Sequence, residues 1–142
     1  MIEGIIITPL KQIVDERGKI MHMLRRDSNV FKSFGEIYFS TVNPKFIKAW
    51  HKHKEATLNY ACIKGKVKFV LFDDREATNS QFQEVIISRN NYCRLTVPPM
   101  VWVGFQGLSD GVSVLLNIAN IKHNPLEVDK KNIEEIKFNW DS

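Results

Sequence analysis

His51 and His53 stand one residue apart in the run Lys48-Ala49-Trp50-His51-Lys52-His53-Lys54. The two-residue period of a strand places both imidazoles on one face. Imidazole titrates near neutral pH and binds divalent metals when it is neutral, so two of them on one face suit proton transfer or metal ligation. The bland alternative is a pair on a solvated sheet face. Two ligands make a poor metal site, because catalytic zinc takes three protein ligands and non-haem iron takes two histidines with a carboxylate. Proton transfer is therefore the expected chemistry, with no metal and no cofactor.

The elements that must hold this pair are strands. Short β-rich runs recur between turn signals: 4–8, 19–24, 36–42, 46–53, 58–63, 66–72, 83–88, 93–97, 101–105 and 112–121. Lys64-Gly65 reads as a hairpin turn between two of them. About ten strands with almost no helical periodicity predict an all-β sandwich or barrel rather than a parallel α/β sheet. One domain over 1–142 is expected, with a tail from about 125 to 142 that forms a helical turn or wraps over the barrel. Trp50, Tyr60 and Trp102 could stack on a base or sugar at the mouth of such a barrel, whereas most of the phenylalanines are read as core.

Hydrophobic residues make up 44% and charged residues 25% of the 142 residues, which suits a folded globular chain. The opening residues lack an export-signal pattern and no run approaches the length of a membrane helix, so a cytoplasmic location is the expectation. Cys62 and Cys93 have no CxxC spacing and read as buried free thiols. The formal charge of +4 favours an anionic partner. Lysines and arginines are scattered rather than clustered, so no nucleic-acid partner is expected.

The His-x-His strand, a following glycine turn and the later Pro98-Pro99-Met100-Val101-Trp102-Val103-Gly104-Phe105 segment resemble the cupin superfamily, which implies a double-stranded β-helix, or jelly-roll barrel. Further stretches are similar to the dTDP-4-dehydrorhamnose 3,5-epimerase family of nucleotide-sugar enzymes. They are Asp15-Glu16-Arg17-Gly18, Lys48-Ala49-Trp50-His51, Phe72-Asp73-Asp74-Arg75, Val97-Pro98-Pro99, the Asn117 strand and Phe138-Asn139-Trp140. That resemblance implies a 4-keto-6-deoxyhexose carried on a nucleoside diphosphate, His51 as general base beside the keto group, and substrate contacts from Arg17, Lys48, Tyr60, Asn117 and Trp102. It also implies a homodimer and a carboxylate partner for His51, for which Asp129, Glu134 and Glu135 are candidates. Strict alternation would put Lys48 and His51 on opposite faces unless a bulge intervenes.

Several positions depart from the epimerase pattern. Leu58 stands near the expected lysine, the strand near 112–118 has no tyrosine, and Val103 replaces a histidine. A neighbouring cupin family, the dTDP-sugar 3,4-ketoisomerases, resembles the same 48–54 run and places a tyrosine where Tyr38 falls. It implies His51, His53 and Tyr38 as the catalytic set. A non-catalytic cupin that binds a sugar nucleotide is the third reading.

Overall fold

The computed structural model describes residues 1–76 and 79–141. The described residues form twelve strands, ten of them in two facing sheets. They are β1 (Ile6–Pro9), β2 (Gln12–Asp15), β3 (Gly18–Met21), β4 (Glu36–Val42), β5 (Ile47–His53), β6 (Leu58–Lys64), β7 (Lys66–Asp73), β8 (Gln81–Ser88), β9 (Cys93–Val97), β10 (Trp102–Gly107), β11 (Ser113–Ala119) and β12 (Val128–Lys130). One sheet has the order β1-β9-β6-β11-β4 and the other β12-β5-β10-β7-β8, while β2 and β3 form a separate hairpin. All named strand pairs are antiparallel. This is the cupin-type double-stranded β-helix.

Period-two alternation sets the core. On β11, Ser113, Leu115, Asn117 and Ala119 point inward and are buried, while the residues between them are half-buried on the outside. Leu58, Val67, Phe69, Leu71, Leu95, Val103, Phe105 and Leu115 pack between the sheets. Each such side chain contributes about 1.5–3 kcal/mol on leaving water. Neither Asn117 nor Tyr60 fits that apolar rule, and both lie in the same interior.

Lys64-Gly65 is a turn, but β6 and β7 belong to opposite sheets. It is therefore a sheet-to-sheet corner and not the hairpin expected from the sequence. Gly65 has φ +84, and a Cβ there would lie 2.3 Å from Ser113 Oγ, so a glycine is required. Two strands were not visible as periodic runs. The first, β2, is only four residues long on an exposed hairpin, and β12 is three residues long and forms only against the edge of β5.

The tail has short 3-10 turns at Pro125–Glu127 and Ile133–Glu135, one on each side of β12. Its end folds against the outer face of the second sheet, where Ile136 and Trp140 join Trp50, Val70 and Trp102 in a second apolar cluster. Gly104 makes this approach possible. A Cβ at that position would sit 2.9 Å from Ala49 Cβ and 3.0 Å from the Trp140 ring. Among the described residues, no helix is long and apolar enough to cross a membrane.

Candidate active site

The inner face of β5 carries the histidines. Opposite His51 on β10 lies Val103, and opposite Lys48 lies Phe105, both of which face the core. Between these pairs the register slips by one residue on β5. Ala49 and Trp50 are both left on the outer side, and Lys48 returns to the inner face with His51. The bulge that strict alternation demanded is present. The Lys48 ammonium lies 6.0 Å from the Phe105 ring and donates to the Thr41 carbonyl at 2.6 Å, at the edge of the facing sheet.

His51 and His53 stack edge to face, with ring centroids 5.6 Å apart. Tyr60 reaches across from β6, its hydroxyl 3.4 Å from His51 Nε2, the long limit of a hydrogen bond. Burial, the neighbouring His53 and Lys130 push the His51 pKa down from 6.5 to about 4. At neutral pH His51 is thus an uncharged imidazole with a free lone pair, the state a general base requires. Lys130 faces it directly in the β12–β5 register. Burial drives Tyr60 far up, so its hydroxyl keeps its proton.

His53 has a carboxylate partner that the sequence did not reveal. Its Nδ1 bonds Glu127 Oε1, while Glu127 Oε2 accepts the backbone N–H groups of Glu55 at 3.0 Å and Ala56 at 3.2 Å. Burial would raise the Glu127 carboxyl, but the bonds from His53 and the two backbone amides outweigh it and hold the group below the usual range. An ionised Glu127 only accepts, so His53 Nδ1 carries a hydrogen and the tautomer is set. Asp129, Glu134 and Glu135 do not fill this role. Asp129 pairs with Lys52 and Lys54, and Glu135 caps the backbone of Asn132. The carboxylate found here belongs to His53 and not to His51. Its one signal in the sequence was a glutamate two residues after a proline that starts a short turn.

On the facing sheet, Tyr38, Asn117 and Tyr60 lie side by side on three adjacent strands, β4, β11 and β6. Asn117 Nδ2 donates to Tyr38 Oη at 2.6 Å, while Asn117 Oδ1 is buried without a partner. An unpaired buried acceptor costs about 1–3 kcal/mol. Burial raises the Tyr38 pKa, an effect that the Asn117 bond opposes and the Glu36 charge reinforces.

Two residues expected at the site lie elsewhere. Trp102 faces outward, donating from Nε1 to Asp74 at 3.1 Å, with the Lys52 and Lys131 ammonium groups 4.8 and 5.0 Å from its ring. It is one residue from Val103, and strand alternation turns it away from His51. Arg17 sits in the β2–β3 turn with 85% of its side chain exposed and bonds Asp15 at 2.7 Å. Cys62 and Cys93 are buried free thiols. Among the described residues, no three His, Cys, Asp or Glu side chains converge as a metal-binding set.

Residues 3–134 match the family described as FdtA, WxcM-like, C-terminal. The chain belongs to this family. A dTDP sugar isomerase from Desulfovibrio desulfuricans G20 is 38% identical and superposes with a TM-score of 0.93 over 98% of this chain and 92% of that one. The probable low-salt glycan biosynthesis epimerase Agl13 of Haloferax volcanii is 28% identical over 82% of this chain and 77% of its own length. The spore coat polysaccharide biosynthesis protein SpsL of Bacillus subtilis is 28% identical over 100% of this chain and 98% of its own. The FdtA-like family thus joins this chain to sugar-nucleotide epimerases and isomerases of the cupin fold.

Proposed function

We propose that this chain is a dTDP-sugar isomerase that moves the keto group of a 4-keto-6-deoxyhexose from the fourth carbon to the third, with His51 as the base. The observation that carries this reading is the pair of imidazoles side by side on one strand face, one held neutral and the other backed by an ionised carboxylate. A keto shift needs two proton movements on neighbouring atoms. His51 takes the hydrogen from the third carbon, which the adjacent carbonyl acidifies, and returns it to the fourth. The hydroxyl proton of the third carbon travels to the oxygen of the fourth, a transfer within the means of His53 and Tyr38. Atoms and electrons balance with no outside oxidant. Lys130, facing His51 across the strand pair, supplies positive charge for the enediolate between these steps.

Lys48 fits the diphosphate, since its ammonium lies at the rim on the same face as His51. Tyr60 and Asn117 wall the sugar side. A homodimer belongs to this reading, in which the exposed β2–β3 hairpin, with Ile13, Val14 and Ile20 open to solvent, carries Arg17 toward a second subunit. The protein then works in the cytoplasm on precursors of a surface glycan, without metal or cofactor.

Epimerisation next to the keto group is the second reading. It begins with the same abstraction by His51, and a tyrosine hydroxyl from the facing sheet, Tyr38 or Tyr60, would return the proton to the other side of the sugar. The name of the Agl13 relative favours it. Incubation with dTDP-4-keto-6-deoxyglucose in deuterated water, followed by NMR of the product, separates the two. A carbonyl at the third carbon supports the isomerase. The fourth carbon then carries protium where His51 returns the hydrogen it took, and deuterium where the imidazolium exchanges with solvent first. A retained 4-keto group with an inverted neighbour supports the epimerase. Tight binding of the sugar nucleotide with neither exchange nor conversion would defeat both and leave a binding protein.

A further inference from the structure

Asn117 is only 1% exposed, on the inner face of β11 between the two tyrosines of its neighbouring strands. Leu115, two residues earlier on the same face, is fully buried among apolar side chains. Packing at this depth therefore asks for a hydrophobic residue, and an amide with one end unpaired costs stability that a leucine would not. What the amide gains for the site is a direction. Its nitrogen can only donate, so the Tyr38 oxygen it meets at 2.6 Å acts as acceptor in that bond. The phenol's own hydrogen must then point away from β11. Tyr38 is 42% exposed, so the residue is not enclosed by the core as Asn117 is.

We infer that Asn117 is a positioning residue for Tyr38, turning its O–H outward so that the phenol meets the sugar as a proton donor. This rests on the isomerase reading above. A neutral phenol aimed at the carbonyl oxygen can give its hydrogen as the enediol forms and recover one as the new carbonyl closes. An apolar residue at 117 leaves the phenol free to rotate. An aspartate there accepts the phenol's hydrogen and turns it inward. The charged and titratable groups that act on Tyr38 from the elements around it are Glu36, on its own strand, and Tyr60, across Asn117.

The test joins a titration to kinetics. The chain has three tyrosines, so labelling with 13C at Cζ gives three signals, and Tyr38→Phe identifies the one that matters. In Asn117→Val the Tyr38 signal should titrate at higher pH than in the unaltered protein. The turnover of dTDP-4-keto-6-deoxyglucose should fall roughly 100-fold while KM changes less than about threefold. Asn117→Asp, nearly the same size, should lose at least as much activity while keeping the native circular dichroism. It carries the test where the valine variant fails to fold. Full activity in the aspartate variant, or an unmoved Tyr38 titration in a folded valine variant, overturns the role. If the unaltered protein neither exchanges nor turns over the substrate, the isomerase reading fails and takes this role with it. If it is active and both variants match it, this role alone fails.

Discussion

The two faces of β5 carry similar side-chain types and end in opposite states. On the inner face His51 meets Tyr60 and His53 meets a buried glutamate, and on the sheet opposite Asn117 is left half-satisfied. On the outer face Trp50 and its neighbour Trp102 are sealed under Trp140 and Ile136. Trp50 donates from Nε1 to the Ile133 carbonyl at 3.3 Å, and its backbone bonds Lys131 in both directions. One face spends stability on chemistry, while the other supplies the rigidity that keeps the imidazoles in place. A single strand with one extra residue serves both. The bulge puts two consecutive residues outside and returns Lys48 to the side of His51.

The sharpest way to break this contrast is His51→Asn. Turnover of the sugar nucleotide should fall by at least about 1,000-fold, while the denaturant midpoint near pH 7 changes little, because the neutral imidazole and the amide that replaces it are both uncharged polar groups. A large loss of stability would mean that the inner face is structural after all. Trp140→Ala should do the reverse, lowering stability by about 3–5 kcal/mol in denaturant titrations, with activity per folded molecule largely kept. Glu127→Gln lies between these two. It keeps the shape but loses the charge that orders His53, and kcat should drop about 10- to 100-fold with modest effect on KM.

A finer test is stability against pH. The His51 pKa lies near 4 in the folded chain and at 6.5 in the unfolded one, so between these values the unfolded chain binds more protons. The contribution is complete above pH 6.5 and is lost as pH falls toward 4. Denaturant midpoints measured across this window should slope downward on acidification, and His51→Asn should flatten that slope. The smallest effect is expected at Arg17→Ala. An exposed pair with Asp15 contributes less than about 1 kcal/mol, so thermal melting should not move measurably. If dTDP-sugar turnover nevertheless falls, Arg17 acts at a site its own chain does not show.

The strand pattern was legible because it is local. Side chains alternate every two residues, so the run from Glu36 to Val42 and that from Cys93 to Val97 read directly from β-branched and apolar periodicity. The common face of His51 and His53 follows from the same rule. Alternation also had the information that Trp102 and Val103 point opposite ways, but not which of them faces the barrel interior.

What the chain determined by itself, then, is a set of short strands, a turn at Gly65 and two imidazoles on one side of a strand. Tertiary structure decided which sheet each strand joins, that β6 and β7 part at a corner, and that a bulge returns Lys48 to the inner face. It also brought Glu127 to His53 across 74 residues and set Asn117 between two tyrosines. The physical reason is range. Backbone sterics and side-chain period act over a few residues, whereas a hydrogen bond between distant groups exists only after the sheets have closed and excluded water from the space between them.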